Sequence, residues 1–133
     1  MKFSQIPSRQ RGLITKGIRD SFKRDARYKS CLSAARIEVP RYKKDGGLMK
    51  VPNVYFICNY CSRQGKQGEI QVDHIEPVIR TNEILADFTL DEYASRVFSG
   101  HVQVLCRDCH DVKSKSENKC RRAYKKSLKN KIK

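Results

Sequence analysis

Apolar positions in the first third of the chain fall at helical spacing: Ile14, Ile18 and Phe22 recur every four residues behind Ser8, a candidate N-cap. Arg9, Arg11, Lys16, Arg19, Lys23, Arg24, Arg27 and Lys29 crowd the other positions, so residues 8–37 read as mostly helical. Gly12 and Gly17 each weaken a continuous helix by about 1 kcal/mol, which leaves one broken helix and two shorter ones equally open. Pro40 is expected to end the helical stretch, and residues 41–47, punctuated by Asp45-Gly46, read as a linker or hairpin.

The pattern then changes. Val54-Tyr55-Phe56-Ile57 is a short apolar run suited to a buried strand, and residues 69–75 alternate, with Ile70 and Val72 apolar between polar neighbours. Pro77 blocks simple continuation of that second strand. Within residues 82–98 lies a helix, with Thr89 as N-cap, Glu92 at the third helical position, and Leu90, Tyr93, Ala94, Val97 and Phe98 as its apolar stripe; Ser99-Gly100 closes it. Val102–Leu105 reads as another strand, and a helix is expected from about Arg107 through Tyr124. Beyond it a basic tail frays, unless Tyr124 and Leu128 pack it back. The class is α+β.

Length and charge divide this picture. The 133 residues amount to one domain's worth of chain, with a formal net charge of +15. That charge is +10 over residues 1–50, −3 over 51–109 and +8 over 110–133. A basic helical N-terminal arm over residues 1–50, a core over 51–118 and a basic C-terminal tail over 119–133, including Arg121, Arg122, Lys125, Lys126, Lys129, Lys131 and Lys133, suggest a grip on a polyanion; the plainer alternative is that the lysines keep a small protein soluble. No apolar run has transmembrane length and no secretory signal is visible, so a cytoplasmic protein without a membrane partner is expected.

In a reducing compartment six cysteines are better read as metal ligands than as a disulfide framework. Cys58-x-x-Cys61 and Cys106-x-x-Cys109 can each turn two sulfurs toward one tetrahedral ion, a structural zinc site with no open position for catalysis. Such a site would contribute on the order of 10 kcal/mol or more to folding. The 44 residues between the pairs must fold as an insert, and Asp73-His74 lies there. Cys31 and Cys120 stand alone and read as ordinary thiols.

Three segments together, Cys58-x-x-Cys61, Val72-Asp73-His74-Ile75-x-Pro77 and Gln103-Val104-Leu105-Cys106-x-x-Cys109-His110-x-x-Lys113, resemble the HNH endonuclease family in its ββα-metal (His-Me finger) form with paired zinc knuckles. More narrowly they resemble the small free-standing members common in bacteriophage genomes, which would place the chain in a host cytoplasm. The resemblance covers roughly residues 50–118. It implies His74 as general base, with Asp73 and His110 holding one catalytic divalent ion. The family's usual Asn, which braces the base, is replaced by His101, a bracing residue or an alternative ligand. The implied products carry a 5′-phosphate and a 3′-hydroxyl.

The chemistry is coherent without the name. A base titrating near neutrality suits deprotonation of water, and a cation suits the charge that develops on phosphate and leaving oxygen. Imidazole is a poor Mg²⁺ ligand, so Mn²⁺, Ni²⁺ or Zn²⁺ are alternatives to Mg²⁺. Lys113, Arg107, Arg121, Arg122, Arg24 and Arg27 are the candidate phosphate contacts, each neutralised phosphate adding about −0.9 to the log–log salt slope on duplex DNA. DNA is the expected partner, RNA an open one, with the protein a monomer or homodimer. The competing reading is a zinc-ribbon nucleic-acid-binding module whose HNH motif is relict.

Overall fold

The computed structural model describes residues 1–132; Lys133, counted above in the basic tail, lies outside them. The chain is α+β. The helical first third splits in two: α1 (Ser8–Phe22) and α2 (Ala26–Ala35). Neither glycine makes the break. It falls at Asp25, whose carboxylate accepts from the Arg27 N–H at 2.9 Å and caps α2. Ser8 is the first helical residue, and Pro7 before it is the cap position. Helix α2 stops at Ala35, because Arg36-Ile37-Glu38-Val39 alternates and pairs as a strand, β1 (Arg36–Val39). Pro40 thus follows a strand and not a helix.

Strand β1 runs antiparallel to β2 (Asn53–Ile57), which pairs with the short β3 (Gln64–Gly65). Between β1 and β2 the expected hairpin is present, with Tyr42 bridged to Leu48 and Gly46 at a φ of 90° that a side chain would resist. A second, two-stranded sheet pairs β4 (Ile70–His74) with β5 (Val102–Cys106), His74 lying opposite Val102 and Ile70 opposite Cys106. Between those strands comes α3 (Leu90–Ser99), whose Thr89 hydroxyl accepts from the Glu92 N–H as expected. From β5 the chain turns directly into α4, which continues through Arg107–Ile132 without the fraying expected past Tyr124. Tyr124 and Leu128 are half-buried on it.

Two apolar clusters support these elements. The larger joins Phe3, Ile6 and Phe22 to Val78, Phe88, Tyr93 and Val97, with Ile14 and Ile18 packed against it. Residues expected as an N-terminal arm therefore supply much of the core: Phe3 and Val97 are both fully buried. The smaller cluster, Phe56, Ile70 and Val104, ties the two sheets together beneath α2, where Cys31 and Leu32 close it. Polar clamps fix α3 in place. Arg96 donates to both carboxylate oxygens of Glu83 at 2.6 and 3.0 Å, donates to the Val78 carbonyl at 3.0 Å, and lies 4.4 Å over the Phe88 ring. Arg19 of α1 donates to the Tyr93 hydroxyl at 2.8 Å.

Candidate functional site

Four cysteines converge where β2, β5 and α4 meet. The Sγ atoms of Cys58, Cys61, Cys106 and Cys109 all lie within 4.8 Å of one another, close enough to hold one metal ion. The first pair sits in a tight turn: the Ser62 N–H donates to the Cys58 carbonyl at 3.0 Å, and Ser62 itself takes a φ of 63°. The second pair spans the junction from β5 into the first turn of α4. Burial alone would push the Cys58 thiol up, but the backbone N–H groups of Cys61, Cys106 and Tyr60 outweigh it and hold its pKa down at about 6. Cys109, hydrogen-bonded to the Cys106 sulfur, is pushed up to about 12. Four sulfurs this close cannot all ionise without repelling one another, a condition that a bound cation relieves.

A second polar cluster lies at the other end of the β4–β5 pair. Asp73 and His74 end β4, and His110 enters from the first turn of α4, with its Nε2 3.8 Å from the Asp73 Oδ1. Strand and helix bring together Asp73, His74 and His110, three of the four residues that the HNH resemblance singled out. The His74 Nε2 is 2.9 Å from the Val97 carbonyl. A carbonyl only accepts, so this nitrogen carries the hydrogen and the neutral ring keeps its lone pair at Nδ1. The ring also stacks at a tilt on Phe22, 5.3 Å between centroids. Gly100 makes room for it, since a Cβ there would stand 3.0 Å from the His74 Cδ2 and 3.0 Å from the Arg96 carbonyl.

Lys113 was expected to face phosphate and instead turns inward. Its ammonium lies 3.1 Å from the Asp73 Oδ2, donates to the His74 carbonyl at 3.0 Å and is paired with the Glu117 carboxylate. Burial works against that charge, but the Glu117 and Asp73 carboxylates outweigh it and hold the lysine above its ordinary pKa. Glu117 was not singled out in the sequence; its place seven residues after His110 and four after Lys113, on one helix face, is the signal that could have found it. The Gln103 amide completes the surroundings of Asp73, donating to Oδ2 at 3.3 Å, and its own oxygen accepts from Asn59 at 3.0 Å. Asn59 sits inside the first cysteine pair, so two side-chain amides join the two clusters.

Asp73, His74, His110, Lys113 and Glu117 line a cleft of about 1060 Å³ between α1 and α4. Lys16 and Lys23 stand on its α1 wall, Arg121 and Lys125 on its α4 wall. Other expected residues lie elsewhere. The ring of His101 makes no hydrogen bond among the described residues and lines a separate hollow of about 900 Å³ with Arg27 and Gln103. The brace on His74 comes from the Val97 carbonyl instead, and the backbone of His101 contributes only an acceptor for the Ile75 N–H at 2.9 Å. Arg107 donates to the Gly68 carbonyl and Arg121 to that of Ile79, both at 3.0 Å, so these two guanidiniums knit the chain together. Arg24 and Arg122 are exposed.

Compared with models of known families, with curated proteins and with solved structures, the chain matches none. No helix among the described residues is long and apolar enough to cross a membrane. The chain thus carries four clustered cysteines that can bind a metal and a cleft in which Asp73, His74, His110, Lys113 and Glu117 lie together.

Proposed function

We propose that the chain is a metal-dependent HNH endonuclease that hydrolyses DNA phosphodiester bonds, with zinc as the ion of the four-cysteine site. One observation carries this reading: an antiparallel strand pair and the helix that follows it gather Asp73, His74 and His110 at the floor of one basic-walled cleft, with the His74 ring held in a single tautomer. The gathering matches in kind the ββα-metal arrangement that the sequence motifs imply.

His74 acts as general base. With Nε2–H bound to the Val97 carbonyl, Nδ1 is the nitrogen that takes a proton from the attacking water, and the carbonyl steadies the imidazolium that results. Phe22 and the absence of a side chain at Gly100 fix the plane of the ring. Asp73 and His110 fit a divalent ion, since a carboxylate oxygen and an imidazole nitrogen 3.8 Å apart can share one, and Asp73 already attracts a positive charge in the form of Lys113. Such an ion, when bound, would stabilise the charge developing on phosphate and leaving oxygen. Mn²⁺, Ni²⁺ or Zn²⁺ suits the mixed donor set better than Mg²⁺ does. Lys16 and Lys23, which share the Asp20 carboxylate, line the cleft with Arg121 and Lys125 and leave it net positive for the phosphate backbone, DNA being the substrate favoured and RNA the alternative polymer.

The test is conversion of supercoiled plasmid to nicked or linear form in the presence of Mn²⁺ or Mg²⁺. Replacing His74→Ala should lower the rate by about 10²- to 10⁴-fold while the variant stays folded at the assay temperature with its zinc content near wild type. A wild type that binds DNA and never cuts it, across metals, would instead support the zinc-ribbon binding module. That second reading draws on the Lys113 ammonium, which already neutralises Asp73.

A further inference from the structure

Asp73 has two carboxylate oxygens facing two different partners. Oδ1 is 3.8 Å from the His110 Nε2, whereas Oδ2 is 3.1 Å from the Lys113 ammonium and accepts from Gln103. The ammonium spends its remaining donors on the Glu117 carboxylate and the His74 carbonyl. Its contacts thus come from β4 and from its own helix, and the carboxylates that hold it are only 13% and 18% exposed. Arg121 lies 3.7 Å from Glu117 on the far side, so Glu117 keeps a positive neighbour even without the lysine. Asp73 has no second lysine or arginine in an ion pair among the described residues; its other neighbour is the His110 imidazole.

We propose that Lys113 is an internal counter-cation, a positioning residue whose ammonium neutralises Asp73 in the metal-free protein and competes with a divalent ion for that carboxylate. The inference rests on the endonuclease reading, because it concerns the ion held there by Asp73 and His110. A divalent ion held by Asp73 and His110 would share that carboxylate with the full positive charge of Lys113, and two cations within a few ångströms of each other repel. Ion binding and withdrawal of Lys113 from Asp73 are therefore one equilibrium. In the ion's absence the lysine keeps Asp73 and Glu117 from repelling each other and holds the His74 backbone at the end of β4. The device lets the cleft fold with its carboxylates compensated whether or not the ion is present.

The experiment uses the full chain, loaded with one equivalent of zinc so that the cysteines are occupied, as wild type, Lys113→Met and Lys113→Gln. Mn²⁺ binding is followed by the loss of the free-ion electron paramagnetic resonance signal, and the thermal midpoint is measured with and without Mn²⁺. Both variants should bind one Mn²⁺ about tenfold or more tighter than wild type, as expected when a unit positive charge leaves a weakly screened site. Mn²⁺ should also raise their midpoints by more than it raises that of wild type. If the Met variant does not fold, the Gln variant, which retains a donor for the His74 carbonyl, carries the comparison. Equal or weaker Mn²⁺ binding in a folded variant overturns the counter-cation while leaving the endonuclease reading intact. Absence of Mn²⁺ binding in all three proteins, with no plasmid cleavage, overturns both.

Discussion

The β4–β5 pair carries two polar clusters built on opposite plans. Near its Ile70–Cys106 end, four sulfurs face one another within 4.8 Å. Near its His74–Val102 end, a carboxylate, two imidazoles, a lysine and a second carboxylate form a set whose charges nearly balance. The first cluster is set up to take a cation from outside. The second is already compensated from within. Under the proposed function, the difference would separate a metal that holds the fold from one that serves chemistry, and Asn59 and Gln103 link the two places by hydrogen bonds.

The largest effect that can break this comparison is removal of metal. A strong chelator should unfold the centre of the chain, with loss of one equivalent of zinc and collapse of the thermal transition, because a site of this kind contributes on the order of 10 kcal/mol. Stripping Mn²⁺ alone should leave circular dichroism unchanged and lower the wild-type midpoint only slightly. A protein that keeps its melting transition after all metal is gone would show that the two clusters do not differ in the way described.

Gly100→Ala sharpens the contrast from the other side. The added methyl would meet the His74 ring and the Arg96 carbonyl at 3.0 Å each. Displacing them should cost about 1–3 kcal/mol, as overpacking does, and lower plasmid cleavage without lowering zinc content. Equal activity in the variant would show that the position of the ring is not what limits the base.

The smallest effect concerns the clamp behind that ring. Hydrogen bonds from Arg96 hold the Glu83 carboxyl below its usual range, and Glu83 in turn raises Arg96. A carboxyl whose folded pKa is depressed stabilises the fold at pH values above its unfolded pKa, and the benefit disappears as pH falls through the folded one. Glu83→Gln should therefore cost about 1 kcal/mol at neutral pH, the ordinary scale for a partly exposed pair. Its thermal midpoint should converge with that of wild type as the pH drops below the ordinary glutamate range. A difference that persists in acid would assign the effect to packing.

Sequence spacing made the cysteine cluster legible, since two Cys-x-x-Cys pairs need only a shared meeting point. The gathering of Asp73, His74 and His110 was legible for a related reason: strand, strand and helix are each marked by local periodicity, and the motif sets their order. What holds the site together was not. The brace on His74 is a backbone carbonyl on α3, and a carbonyl carries no residue code. Lys113 belongs to the right helix face, but only packing decides whether a lysine points to solvent or to Asp73. The N-terminal segment misled because its charge hides its core residues: Phe3, Ile6 and Phe22 are few among many arginines and lysines, yet they meet Val97 and the His74 ring. Strand β1 was missed because four alternating residues after a helix are too short a signal to outweigh it.

Helix α4 begins at the second cysteine pair and runs for 26 residues. At about 1.5 Å per residue, Lys131 stands roughly 30 Å along the axis from His110, comparable to nine base-pair steps of duplex at about 3.4 Å each. The metal knuckle anchors one end of this rod, and Tyr124 and Leu128 are partly covered farther along it. A single uninterrupted helix therefore acts as a ruler: the distance and angular phase between the Asp73–His110 cluster and the distal lysines are set by helical register and not by slack chain. One residue inserted between His110 and Lys129 would swing the distal lysines about 100° around the axis, the angle of one residue in a 3.6-residue turn, altering their alignment with a substrate without changing their number.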